Sequence, residues 1–244
     1  MTDTQFSNRA IIRISATDPA EDVREFLQGL ITQDLQLVQP RAPQWSALLN
    51  AQGKIMYDFF LWADEDDILI DCESNGAEAL AKRLKLYRLR RKIGIELDDK
   101  KTVHWSKNAV EQPTDPRLSE LGHRWLSDTV EGGGVDELYL AHRLSLGVTE
   151  GQAELGAEKI LWLECNADEL NGVSFTKGCY IGQENTARMN YRQKINRRMV
   201  VVPIDQADEK RQRTAYPELG LSVEHRKVDD MDGLTLPAWL SKAL

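Results

Sequence analysis

Cysteine is scarce in this chain, with three in 244 residues, at positions 72, 165 and 179. An odd and scattered set excludes a disulfide framework and predicts reduced thiols in a cytoplasm. There is no Cys-x-x-Cys pair, and three separated thiolates cannot supply a four-thiolate cluster site from one chain. His104, His123, His142 and His225 are isolated, and none has the spacing of a zinc or iron motif, so no metal site is expected. No apolar run approaches the roughly 20 residues that span a bilayer, and no membrane partner is expected. The start, Met1 to Phe6, has neither the basic and apolar regions of a secretory signal nor the arginines of a transit peptide, which predicts a cytoplasmic protein. A Ser–His–Asp elbow and a dinucleotide fingerprint are also missing. Gly132-Gly133-Gly134 is a flexible loop without the Lys-Ser/Thr of a phosphate cradle.

What is present is an ordinary globular composition, 41% hydrophobic and 29% charged, with a net charge of −8 that argues against wholesale nucleic-acid binding. The charge is unevenly spread. Lys82, Arg83, Lys85, Arg88, Arg90, Arg91 and Lys92 follow one another with no acid among them, and Arg188, Arg192, Lys194, Arg197 and Arg198 lie in a second acid-free stretch. Each is either a solvated face or a groove for a polyanion, such as a folate polyglutamate tail or RNA phosphates.

Along the chain, strands are expected at 9–14, 45–49, 55–62, 66–72, 93–97 and 199–204. Residues 50–54 read as a turn between two of them. Asp18-Pro19 predicts a helix start, with Val23, Phe26, Leu27 and Leu30 inward and Gly29 in a tight contact. Further helices are expected at 77–89 and 135–146, the latter with Leu138, Ala141 and Leu144 inward. Residues 106–116 read as a loop between halves and 205–217 as a polar linker. The alternation predicts an α+β fold. Asp58 interrupts the apolar strand Met56-Tyr57-Asp58-Phe59-Phe60, so it faces either solvent or a ligand. Arg143 faces either a ligand carboxylate or a surface acid. Cys72 and Cys165 are expected to be packing residues.

The most chemically suggestive stretch is Lys177-Gly178-Cys179-Tyr180-Ile181-Gly182-Gln183-Glu184. A thiol stands between two glycines, with a lysine two residues before it. A nearby cation favours the thiolate, which is the nucleophile and the soft ligand. Gly178 and Gly182 permit backbone angles and close approaches that a side chain would block. The alternative is a glycine-containing turn with a buried cysteine.

Residues 170–184, with Ala187-Arg188 after them, resemble the signature of the YgfZ family, folate-binding proteins similar in fold to the T-protein (aminomethyltransferase) of the glycine cleavage system. Every fixed position of the octet Lys-Gly-Cys-Tyr-x-Gly-Gln-Glu is present. Residues 26–35, 115–125 and 143–150 resemble further family segments. The likeness covers residues 9–204 well and the tail poorly. It implies two interwoven α+β lobes (1–105 and 106–198) and a small, abbreviated C-terminal β-barrel (199–244) around a pocket for tetrahydrofolate or a derivative. It implies an accessory role in assembling or repairing iron–sulfur enzymes, including those that modify tRNA, with iron–sulfur enzymes or assembly proteins as partners. Cys179 would be the functional thiol and Lys177 its electrostatic partner. Gln183 and Glu184 would anchor the motif alongside Tyr180 and Arg188. Asp58, Arg143, Glu164 and Asn166 would face the folate. T-proteins carry two adjacent acids where this chain has Tyr57-Asp58, and the resembled family usually has a proline where it has Trp162. Two other readings stand beside this one: a folate-dependent aminomethyl or one-carbon transferase, and an RNA-binding or scaffold protein.

Overall fold

The computed structural model of the chain describes residues 3–128, 134–192 and 194–244. Met1, Thr2, Gly132, Gly133 and the side chain of Arg192 lie outside the described residues. The elements are β1 (Arg9–Ala16), α1 (Val23–Gln28), β2 (Gln44–Leu49), β3 (Ile55–Asp64), β4 (Asp67–Glu73), α2 (Ala77–Arg88), β5 (Ile93–Asp98), β6 (Thr102–Ser106), β7 (His123–Ser127), α3 (Asp136–Ser145), α4 (Gly151–Leu155), α5 (Gln183–Arg192), β8 (Arg197–Pro203), β9 (Gln212–Tyr216), β10 (Leu221–Lys227) and α6 (Ala238–Ser241).

Five strands form one antiparallel sheet in the order β2-β3-β4-β1-β5. Successive side chains of a strand point to opposite faces, and here both faces are covered. From β3, Phe59 and Leu61 enter the core beneath α1 and α2, whereas Phe60 and Trp62 enter a larger core with Trp45, Trp105, Tyr139 and Trp162. Asp58 shares its face with Phe60. Its strand position therefore buries it, at 6% exposure, and the solvent-facing alternative fails. β6 and β7 pair antiparallel as a separate two-stranded sheet, from Thr102 opposite Ser127 to Ser106 opposite His123.

Five local expectations are corrected. Asp18 closes a turn by accepting from the Ala20 N–H, and α1 starts later, where the Asp22 carboxylate accepts from the Arg24 and Glu25 N–H groups. Gly29 meets nothing where a Cβ would stand. In α3, Tyr139, Arg143 and Leu144 turn inward while Leu138 is 67% exposed, because Tyr139 and Arg143 reach buried acids. The tail is an open three-stranded sheet, β8-β10-β9, not a barrel, since three short strands are too few to close. β9 lies inside the stretch read as a linker. Its half-exposed residues carry no apolar alternation, and it is a strand through its pairing with β10.

Candidate functional site

The signature loop lies where the end of α1, the β2–β3 turn and the start of α5 meet. Lys177 Nζ donates to the carbonyl oxygens of Gln28 and Ile31, each at 2.6 Å, and Gln28 Nε2 donates back to the Lys177 carbonyl at 3.4 Å. The ammonium also sits 5.0 Å from the centre of the Tyr180 ring. Burial lowers the Lys177 pKa to about 8, against the pull of Asp34. Tyr180 is itself buried, and burial raises its phenol to about 12.

Gly182 (φ 81°) explains its own identity. A Cβ there would lie 2.5 Å from the Asn50 carbonyl oxygen and 3.0 Å from Gly53 Cα. Gly53 (φ 75°) faces it from the β2–β3 turn, so two glycines let the backbones of turn and loop touch. Asn185 Nδ2 donates to the Gln52 carbonyl at 2.8 Å, and the Thr186 hydroxyl to the Gly182 carbonyl at 3.3 Å. The anchoring expected of Gln183 and Glu184 is thus carried by Asn185 and Thr186. Gln183 contributes its backbone N–H to the Tyr180 carbonyl, and Glu184 is an exposed acid paired with Arg188 one turn along α5, at 2.8 Å.

Cys179 rides on this fixed loop and is exposed, whereas Cys72 and Cys165 are buried. Burial raises the Cys72 thiol to about 12 and the Cys165 thiol well above its usual range. Gly178 (φ 97°) beside Cys179 has open space where a Cβ would stand. Among the described residues no hydrogen bond joins Lys177 to Cys179. Lys177 is the clamp of the loop, and its ammonium is committed to carbonyls of the α1 end.

Beneath the sheet lies a charged interior. Arg117, fully enclosed, donates to Asp115 at 2.7 and 3.0 Å, to Glu150 at 2.7 Å and to the Tyr139 hydroxyl at 2.5 Å. Arg9 and Arg124 share the Asp71 carboxylate at 2.6 and 2.7 Å. Arg124 also lies over the Phe60 ring, 4.2 Å from its centre. Burial would raise the Glu150 carboxyl, but Arg117 and Arg9 hold it well below the ordinary carboxylate range. Asp58 makes no direct ion pair among the described residues, and Arg9 pulls its pKa down only in part. It accepts from Trp45 Nε1 at 3.3 Å and from the Gly151 N–H at 3.2 Å. Burial, with Glu150 and Glu73 nearby, raises it to about 7.

Of the four residues implied for folate, three are spent on the protein itself. Arg143 forms a buried two-pronged pair with Glu154 at 2.9 and 2.6 Å, not a surface ion pair. Glu164 accepts from the Leu161 N–H and stands 3.2 Å from His225 of β10. Asn166 donates to the Met199 carbonyl of β8 at 2.9 Å and accepts from Arg198. Arg143 borders a hollow of about 230 Å³ with Arg9, Glu150 and Tyr216, while Glu164 and Asn166 lie at the joint to the tail sheet. The four are not gathered around one hollow: Arg143 borders this one, and Glu164 and Asn166 do not. A larger cleft, about 670 Å³, runs beside the approach to the signature, lined by Gln33, Arg41, Asp168, Asn171 and Phe175. Two residues of the second basic stretch are paired, Arg188 with Glu184 and Arg198 with Glu169. Among the described residues no group of three His, Cys, Asp or Glu gathers to hold a metal, and no helix is long and apolar enough to cross a membrane.

Sequence reasoning missed Gln28 and Ile31 as receptors for Lys177, and Gly53 as the partner of Gly182. The family-like segment 26–35 and the turn 50–54 were the available signals. It also missed the Arg117–Glu150–Tyr139 network, whose members stand far apart in the chain.

No protein-family profile matches the chain. It is 34% identical over 236 residues to the mitochondrial iron–sulfur cluster assembly factor IBA57 of Homo sapiens, covering 81% of this chain and 65% of that protein. It is 32% identical to the Mus musculus protein of the same name, covering 82% and 66%. It is also 32% identical to the Pyricularia oryzae homologue, covering 81% and 56%. The chain thus spans between half and two thirds of the length of these relatives. Its backbone superposes on the crystal structure of glycine cleavage system aminomethyltransferase T from Bartonella henselae with a TM-score of 0.66, over 92% of this chain and 78% of that one. At 13% identity, that likeness shows the fold alone.

Proposed function

We propose, from the premise that this chain belongs to the YgfZ/T-protein family, that it is an accessory factor in iron–sulfur cluster assembly whose working group is the Cys179 thiol. The observation that carries the reading is the contrast among the three cysteines: two are buried with raised thiols, and one is exposed on a loop clamped by Lys177 and Gly182. A single thiol cannot house a cluster. It can offer one soft ligand, or one nucleophile, to a cluster or iron ion that a partner protein holds with its own ligands. The rigid loop then presents the sulfur at a fixed position while the partner completes the coordination. Clients include, on this reading, iron–sulfur enzymes that modify tRNA.

The similarity to the IBA57 factors supports the assembly role. The aminomethyl-transfer alternative is weakened because Asp58 is a single acid, buried, and raised to about 7. The test is to mix the purified chain with a cluster-loaded carrier protein and follow the visible circular dichroism of the cluster. Wild type should perturb the spectrum, and Cys179→Ala should leave it unchanged. Equal perturbation by both would remove the thiol from the mechanism.

A further inference from the structure

The outward face of α2 carries a pattern that the signature loop does not use. Lys82, Lys85, Leu86 and Leu89 stand at i, i+3, i+4 and i+7, which is one stripe of a helix continued into its end. The inward stripe is Ala77, Leu80, Ala81 and Leu84. Leu86 is 61% exposed and Leu89 is 84% exposed. Among the described residues no ion pair is made by Lys82, Arg83, Lys85 or Arg90, whereas Arg91 is held by Glu21 and Glu25. Leu89 adopts φ 53° and ψ −112°, a region that glycine enters freely and a branched side chain does not. Helices commonly end on a glycine for this reason. Here a leucine occupies the position, on strained backbone and in solvent, where packing gives it no return.

We propose that this face docks on an anionic lipid surface. A nucleic acid would match the four cations and leave both leucines in water. A bilayer offers phosphates at headgroup level and an apolar layer just beneath. Lysine and arginine heads stay with the phosphates while Leu86 and Leu89 enter the acyl boundary. A bilayer also accepts a protruding tip, and none of residues 82–92 lines either cleft described above. The net negative charge elsewhere on the chain is screened over roughly 8–10 Å at physiological salt. The contact is peripheral, and it is independent of Cys179.

The test is co-sedimentation of the full chain with vesicles of phosphatidylglycerol in phosphatidylcholine, beside vesicles of phosphatidylcholine alone. Binding is expected only to the anionic vesicles, weakening as salt rises. Lys82→Glu with Lys85→Glu should lower it by at least about fivefold for each cation lost. Leu89→Gly separates structure from function, since it relieves the backbone strain. It should hold or raise the melting temperature while lowering vesicle binding several-fold. Anionic-vesicle binding unchanged in Leu89→Gly would overturn the proposal. So would equal binding to both vesicle types, or binding of an RNA oligomer or polyglutamate in preference to vesicles.

Discussion

Lys177 and Gln28, 149 residues apart in sequence, hold each other twice: the lysine ammonium donates to the glutamine carbonyl, and the glutamine amide donates to the lysine carbonyl. This clasp ties the loop bearing Cys179 to the end of α1. Removing the ammonium leaves two carbonyls without a donor in a largely buried place. Lys177→Met should cost about 1–3 kcal/mol of stability. It should also speed hydrogen exchange in residues 177–182 relative to the β-sheet, measured by mass spectrometry. Unchanged exchange in that loop would contradict the clamp.

The two glycines of the signature are predicted to differ. Gly182→Ala forces a Cβ against the Asn50 carbonyl and Gly53 on top of an unfavourable φ, and should cost roughly 2–4 kcal/mol. Gly178→Ala meets open space and bears only the backbone term, about 1 kcal/mol. Urea denaturation of the pair checks the order, and equal losses would contradict the close approach.

Asp58 gives a pH signature. Its folded pKa, about 7, lies above the ordinary carboxylate value, so the folded state keeps a proton that the unfolded chain releases. Stability must then fall as pH rises from about 4 to 7, by at most about 1.4 kcal/mol per pH unit from this group. Asp58→Asn should remove that slope and gain on wild type toward pH 8. Parallel stability curves for the two proteins would count against a buried carboxyl raised in the folded state.

Arg117 tests the interior network. Arg117→Met strips Asp115 and Glu150 of a shared cation and should destabilise by about 3–5 kcal/mol, read from the melting transition. Asn166→Ala should also lower the melting temperature, through the lost bond to β8, and leave any affinity for tetrahydrofolate unchanged in calorimetry. A selective loss of folate affinity would return Asn166 to a ligand role.

The signature was legible because its chemistry is local. The octet itself is contiguous in sequence, whereas the contacts that require glycine at 182, to Asn50 and Gly53, come only with the tertiary fold. The strands of the main sheet were legible from their apolar runs. Asp58 was not, because alternation tells which residues share a face and not that both faces of this sheet are covered. The receptors of the Lys177 ammonium, Gln28 and Ile31, were not legible because they arrive only through the tertiary fold. The pairing of Arg198 was hidden for the same reason: Glu169, which neutralises it, is 29 residues away. β9 carries no signal of its own and becomes a strand only beside β10.

The central claim is that Cys179 is the working thiol of an assembly factor. Its most direct test is the activity of a [4Fe–4S] enzyme in cells whose only copy of this chain carries Cys179→Ala, beside cells carrying Cys165→Ala. The account predicts that Cys179→Ala keeps the wild-type melting temperature and loses the enzyme activity, while Cys165→Ala keeps the activity wherever it folds. Full activity with Cys179→Ala would contradict it.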